Sequence, residues 1–372
     1  MDSLLIYGSY GYTGRLIARE AVSRGGSPVV AGRDARAVTR QADELGVEGR
    51  TFALSDDVAA QLRRFDAVLN CAGPFSKTVD PLVDACLETG TDYLDVTGEF
   101  QVFERLRQHD AGARAADVTL LPGVGFEVVP SDCLAAFLHE QLPSATALSL
   151  GLKGNGPLSR GTARTVVEQL GSDGVVRRNG RLIKVPTAFR TREIDFGTGP
   201  EHAVTIPGGD VVTAAHSTDI DTIELYAAMP SWATRTMAAA DSLGWLLARR
   251  PVETLVKRLV DARVDGPDAR ERARSDAVVW GEAVDESTGR RARARMRTPN
   301  PYTLTADAAV SAAERVLDGR DRIESRVPAG FQTPASAFGS EFVLKLEGTT
   351  RDVLETPTET DDSNRSTVES DD

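Results

Sequence analysis

Several things are scarce in this chain. Its 372 residues hold three Cys, four His, three Trp and five Lys. Cys71, Cys86 and Cys133 lie far apart, form no C-x-x-C pair and are odd in number. That argues against a disulfide framework and for reduced, structural thiols in an intracellular protein. His109, His139, His202 and His216 include no H-x-x-x-H spacing, so a zinc hydrolase site is not expected. A G-x-S-x-G elbow and a Walker A sequence are also missing. The most apolar stretch, Leu225 to Ala248, is interrupted by Pro230, Arg235 and Asp241, which argues against a membrane span of ~20 residues. No basic segment precedes the short apolar run after Met1-Asp2-Ser3, so no secretory leader is expected. A net charge of −12 argues against a sequence-independent hold on nucleic acid through basic residues. The expectation is a soluble, cytoplasmic protein.

What is present suits a globular chain of two or three domains: 41% hydrophobic residues, 26% charged, with 33 Gly and 18 Pro. The charges are skewed, with 38 Arg, 32 Asp and 23 Glu. A surface poor in Lys and rich in Asp stays hydrated in a high-salt cytoplasm; an Arg-biased genome would produce the same skew.

From Ser3 to Leu142, short apolar runs alternate with amphipathic stretches. Leu4–Tyr7, Val29–Ala31, Thr51–Leu54, Ala67–Leu69, Tyr93–Val96 and Val118–Leu121 read as strands. Helices are expected between them, such as Gly14–Arg24, which stops at Gly25-Gly26, and Arg36–Leu45, which stops at Gly46. Strands that are apolar throughout and alternate with helices indicate an α/β fold, a Rossmann-type doubly wound parallel sheet. After Pro143 the texture changes to half-buried strands, Leu148–Leu152, Ala203–Ile206 and Thr222–Tyr226. Helical stretches are expected at 161–170, 231–248 and 252–262, then a hairpin joining Ala277–Val284 to Arg291–Met296. These features predict a second, α+β domain on a largely antiparallel sheet. The division expected is 1–143 for dinucleotide binding, joined by 303–345, and 144–302 as the closing or substrate domain. The segment 356–372 has six acids and one Arg and reads as a disordered tail.

The strongest local signal is Gly8-Ser9-Tyr10-Gly11-Tyr12-Thr13-Gly14, after the first strand and opening the first helix. Gly8 permits a tight turn, Gly11 a close approach to a pyrophosphate, and Gly14 close helix–strand packing; the helix N-terminus offers N–H groups to phosphate. The second strand ends Ala31-Gly32-Arg33-Asp34. Arg33 can pair with a ribose 2′-phosphate, and Asp34 can cap the next helix, which favours NADP over NAD. The fourth strand ends Asn70-Cys71-Ala72-Gly73-Pro74-Phe75, where the ribose and nicotinamide side of a bound dinucleotide passes. Asn70, Ala72, Gly73 and Pro74 join Gly8, Tyr10, Gly11, Tyr12, Thr13, Gly14 and Arg33 as candidate cofactor contacts. The fifth strand ends Asp95-Val96-Thr97-Gly98-Glu99 and the sixth Pro122-Gly123-Val124-Gly125-Phe126-Glu127, ahead of Pro130-Ser131-Asp132. Ser131 and Asp132 also read as a helix N-cap and its first-turn acid.

Taken together, Gly8–Arg15, Ala31–Arg33, Asn70–Phe75, Asp95–Glu99, Gly125–Asp132, Ser159–Thr162 and Gln332–Gly339 resemble saccharopine dehydrogenase-like oxidoreductases, a group that includes trans-acting enoyl reductases. The resemblance spans about residues 3–350. It departs at Glu127, where the family pattern has Asp. It implies NADP binding by the first domain and a mixed second domain closing the cleft. It does not imply saccharopine as substrate.

The function expected is hydride transfer between NADP(H) and a C=C, C=O or C=N bond of a lipid-like small molecule. Glu99 and Glu127 are the candidate catalytic residues, for proton relay or substrate orientation. Ser159, Gly161 and Thr162 are candidate substrate contacts. No metal and no nucleic acid is expected, and a homodimer is compatible with the pattern. The alternatives are a non-catalytic NADP-binding or redox-sensing protein, or one docked on a membrane surface through the Trp232–Trp245 segment.

Overall fold

A computed structural model of the chain describes residues 1, 3–156, 174–232, 234, 266–320 and 326–357. The first half is built from β1 (Leu4–Tyr7), α1 (Tyr12–Ser23), β2 (Val29–Gly32), α2 (Ala35–Leu45), β3 (Gly49–Thr51), α3 (Val58–Leu62) and β4 (Ala67–Asn70). It continues through α4 (Val79–Thr89), β5 (Asp92–Asp95), α5 (Phe100–Gln108), α6 (Asp110–Ala115), β6 (Thr119–Leu121) and α7 (Val129–Gln141). Every residue of β1, β2, β4, β5 and β6 is buried, as expected for a sheet covered on both faces. The helices stop where their sequences say. Asp34 caps α2 by accepting from the Ala37 N–H at 3.1 Å, and Gly46 ends it in the left-handed region at φ +67°.

All pairings in this sheet are parallel, and the strands lie in the order 3-2-1-4-5-6. This is the doubly wound arrangement, whose ligand crevice lies outside the carboxyl ends of the strands at the switch point beside β1. A seventh strand, β15 (Gly330–Phe331), comes from far along the chain and pairs parallel with β6. The helix Pro301–Arg320 packs on α1, β4 and β5, and also reaches the second sheet. The third strand sits two residues earlier than its sequence suggests; it pairs with β2 alone, so few contacts set its register.

The second sheet holds β7 (Ala147–Gly154), β8 (Gly174–Arg178), β9 (Arg181–Val185), β10 (Thr191–Asp195), β11 (Pro200–Thr205), β12 (Thr222–Ala228), β13 (Asp276–Val284), β14 (Arg291–Pro299) and β16 (Thr350–Glu355). It is antiparallel apart from the β7–β12 pair. β8, β9 and β10 carry little strand signal in the sequence, because charged residues interrupt their apolar pattern. Two of these charges are paired across the sheet, Arg178 of β8 with Glu224 and Arg192 of β10 with Glu282; Glu224 also meets Arg190, and Glu282 also meets Arg291 and Arg293. On the other face, α7 packs against β13 and β14. Gly281 makes this close approach possible, since a Cβ there would come within 2.6 Å of Leu138 Cδ1 and 3.1 Å of Leu134 Cδ2. One continuous core therefore joins Leu134 and Leu138 of the first half to Val279, Ala283, Ala294 and Met296 of the second.

Candidate functional site at the carboxyl ends of the first sheet

The Gly8–Gly14 loop is pinned from three sides. Gly8 and Ser9 donate to the Ala31 carbonyl at 2.8 and 3.2 Å. Ser9 Oγ donates to Gln41 Oε1 at 2.7 Å, while Gln41 Nε2 donates to the Ser9 carbonyl at 2.9 Å. Gly8, at φ +76°, leaves no room for a side chain, because a Cβ would lie 2.7 Å from the Ala72 nitrogen. A Cβ on Gly14 would lie 2.6 Å from the Gly8 carbonyl oxygen. Gly11 is different: its added Cβ would meet only that oxygen, at 3.3 Å, so its open side can take a ligand. Gly11 caps α1 without a side chain, and the first turn holds no acid. The first-turn N–H groups and the positive end of the helix dipole therefore fit a diphosphate.

The aromatic residues of the loop do two different things. The Tyr10 ring lies on Gly32, where any Cβ would collide with it, so it covers the end of β2. Tyr12 latches the loop to the second half of the chain. Its hydroxyl donates to the Pro267 carbonyl at 2.6 Å and accepts from Arg272 at 3.1 Å, and its ring meets Tyr302 edge-on with centroids 5.1 Å apart. Thr13 is half-buried in the first turn of α1.

At the end of β2, Arg33 is exposed and makes no hydrogen bond or ion pair with any described residue. Asp34 beside it is occupied as the α2 cap. The end of β2 thus presents a free guanidinium and no free acid. That donor set fits a ribose 2′-phosphate better than a 2′-hydroxyl.

A buried network holds the next two strand ends. Asn70 Oδ1 accepts from the Ala72 N–H at 3.0 Å, and its Nδ2 donates to Thr78 Oγ1 at 3.1 Å and to the Tyr93 hydroxyl at 3.2 Å. Tyr93 donates to Asp95 Oδ2 at 2.9 Å; Asp95 Oδ1 accepts from the Thr97 and Gly123 N–H groups at 3.0 and 2.9 Å. Burial pushes the Asp95 carboxyl up to about 6 against these hydrogen bonds. Asn70 therefore shapes the Cys71–Pro74 turn from beneath and is itself fully buried. Ala72, Gly73 and Pro74 form the accessible wall, and the Gly73–Pro74 peptide is cis. Burial raises the Cys71 thiol, which is inert as a nucleophile.

The two candidate glutamates differ sharply. Glu99 accepts from the Phe75 N–H at 2.9 Å and the Ser76 N–H at 3.1 Å, one on each oxygen. It positions the turn after β4. Glu127 makes no hydrogen bond or ion pair with any described residue; its carboxylate lies against Gly98, where a Cβ would collide with Oε2. Its side chain is open to solvent but surrounded by protein, and this desolvation, followed by the charge of Glu99, pushes it up to about 7. Ser131 does not cap α7, whereas Asp132 lies in its first turn as expected. Val128 precedes the helix, with Pro130 in its first turn. Asp132 accepts from Ser217 at 2.7 Å and from the Ala335 N–H at 2.8 Å, joining α7 to the helices Asp210–Thr218 and Pro334–Phe338. Sequence spacing carries no signal for this three-way contact, because its members lie 85 and 203 residues apart.

Ser159, Gly161, Thr162 and the helical stretches expected at 161–170, 235–248 and 252–262 lie outside the described residues, as do 358–372. Trp232 is described and is 69% exposed. Among the described residues no group of side chains could hold a metal ion, and no helix is long and apolar enough to cross a membrane.

Known proteins share this architecture and part of this sequence. The saccharopine dehydrogenase NADP-binding domain family matches residues 4–121. A trans-acting enoyl reductase of Mycobacterium leprae is 25% identical over 94% of this chain and 97% of its own length. A saccharopine dehydrogenase-like oxidoreductase of Bos taurus is 26% identical over 35% of each chain. The fold matches apo saccharopine dehydrogenase (L-Glu forming) from Saccharomyces cerevisiae with a TM-score of 0.64 at 12% identity, over 95% of this chain and 99% of that one. Residues 4–121 thus match the saccharopine dehydrogenase NADP-binding domain family, and along most of its length the chain is similar to trans-acting enoyl reductases and shares the fold of saccharopine dehydrogenase.

Proposed function

We propose that the chain transfers hydride between NADP(H), in preference to NAD(H), and an unsaturated bond of a lipid-like substrate in the manner of an enoyl reductase. The observation that carries the cofactor choice is the free Arg33 guanidinium beside a committed Asp34. The lipid-like substrate rests on the near full-length similarity to trans-acting enoyl reductases.

When bound, the nicotinamide supplies or accepts the hydride. The chain's own residues do the rest. Gly11 and the first turn of α1 receive the diphosphate, and Gly8 and Gly14 keep that turn tight against Ala72. Arg33 holds the 2′-phosphate. Ala72, Gly73 and Pro74 border the ribose and nicotinamide, on a turn that Asn70 and Glu99 fix by hydrogen bonds to its N–H groups. Glu127 carries the proton at the reacting end of the crevice. A carboxyl held near 7 is divided between acid and base at neutral pH, which suits proton exchange in either direction. Separate titrations of NADPH and NADH by nucleotide fluorescence test the cofactor; oxidation of NADPH on adding trans-2-enoyl thioesters tests the reaction. Binding of NADPH without turnover of any such substrate would leave a cofactor-holding protein instead.

A further inference from the structure

In the turn after β4 the backbone donors can be followed one by one. The Cys71 N–H donates to the Tyr7 carbonyl at 2.8 Å and the Ala72 N–H to Asn70 Oδ1 at 3.0 Å. The Phe75 and Ser76 N–H groups donate to Glu99 at 2.9 and 3.1 Å. Pro74 has no N–H. The Gly73 N–H, on an exposed glycine, donates to no described residue. One donor of the turn is therefore left for a ligand or solvent, and its neighbours fix where it stands.

Thr78 has an unexpected share in this. It is the N-cap of α4, where a Thr side chain ordinarily accepts from the first turn of its helix, yet it makes no such bond. Thr78 Oγ1 instead donates to the Ala72 carbonyl at 2.8 Å and accepts from Asn70 Nδ2 at 3.1 Å. Ala72 is thus gripped at both its N–H and its carbonyl. Behind Asn70, the Tyr93 hydroxyl accepts from Asn70 Nδ2 at 3.2 Å and donates to Asp95 Oδ2 at 2.9 Å. Asp95 Oδ1 in turn holds the Thr97 and Gly123 N–H groups at the ends of β5 and β6. These bonds fix the wall after β4 against the next two strand ends.

We propose that Asn70, Thr78 and Tyr93 are positioning residues for the nicotinamide half of the cofactor, acting through the backbone of Ala72 and Gly73. Asn70 and Tyr93 are fully buried, so neither meets a ligand itself. Their side chains and that of Thr78 make no hydrogen bond to Arg33 or to the Gly8–Gly14 loop, on which the adenine half and the diphosphate depend. Loosening the network is therefore felt on the nicotinamide side of the crevice. This inference rests on the dinucleotide reading of the site.

The test compares NADPH with adenosine 2′,5′-bisphosphate, which carries the adenine half and lacks the nicotinamide, by isothermal titration calorimetry on the full chain. Thr78→Val keeps the shape of the side chain and removes the hydroxyl. It should weaken NADPH by about threefold to tenfold, as for a lost neutral hydrogen bond, and leave the bisphosphate within about twofold. Thr78→Ser restores the hydroxyl and should bind NADPH like the parent chain. Tyr93→Phe removes a hydroxyl that no ligand reaches and should shift the NADPH-to-bisphosphate ratio in the same direction by about threefold. Should Tyr93→Phe fail to fold, Thr78→Val, at a half-buried position, carries the test. An equal loss for both ligands is what a merely structural role gives, and it overturns the proposal. So does Thr78→Ser behaving like Thr78→Val. A parent chain that binds neither ligand refutes the dinucleotide reading and this inference with it. A parent chain that binds both, with the ratio fixed across the variants, refutes this inference alone.

Discussion

Asp95 offers the sharpest test of how the site is built. Its side chain is fully buried, accepts three hydrogen bonds and titrates near 6, against an ordinary value of 3.8. A folded-state value raised above the unfolded one means the native protein takes up a proton that the unfolded chain has released. Stability from this group is therefore full below pH ~4 and is lost as pH rises through ~6. The rise from 3.8 to about 6 corresponds to roughly 3 kcal/mol. Asp95→Asn keeps the shape and one acceptor oxygen but removes the titration. If the oxygen keeps the Thr97 and Gly123 N–H groups, the new amide faces the Tyr93 hydroxyl, which already accepts from Asn70. The Tyr93 proton then loses its acceptor, at a cost of about 1–3 kcal/mol. Urea unfolding at pH 4.5 and pH 8 reads both effects. The variant should be destabilised at pH 4.5, and the gap should narrow by about 2 kcal/mol at pH 8, the part of the shift between pH 4.5 and 6. Parallel pH dependence in the two proteins would refute the assignment of that slope to Asp95.

Other outcomes follow from the same geometry. Arg33→Ala should weaken NADPH binding by roughly tenfold to a hundredfold, the ~1.5–3 kcal/mol of a charge-assisted hydrogen bond, while leaving NADH almost unchanged. Arg33→Asp should invert the preference, and an unchanged NADPH-to-NADH ratio in fluorescence titration would remove Arg33 from the site. Gly14→Ala pushes a methyl against the Gly8 and Ser9 backbone and should cost about 1–3 kcal/mol in thermal unfolding along with cofactor affinity. Asp132→Ala leaves the Ser217 hydroxyl and the Ala335 N–H without their buried acceptor and should cost about 2–5 kcal/mol in urea unfolding, against much less for Ser217→Ala.

The sequence by itself determined the first sheet and the glycine turn after β1, because both are local. Apolar runs of four residues between amphipathic helices dictate a covered parallel sheet, and Gly8, Gly11 and Gly14 sit where that sheet needs a turn without side chains. Asp34 as a cap and Arg33 as a free cation are likewise decided within a few residues. Tertiary structure decided what the polar residues do. Glu99 and Glu127 both end a strand and look alike in the sequence; only folding shows one bound to two N–H groups and the other solvent-open against Gly98. Tyr12 sits in the glycine loop yet serves as a latch, since its partner Pro267 is 255 residues away. Asp132 gained its partners and its burial from contacts that α7 makes with a helix following strands of the second sheet and with the helix Pro334–Phe338. Charge state and role at such positions depend on what the fold packs against them, and periodicity and spacing cannot report that.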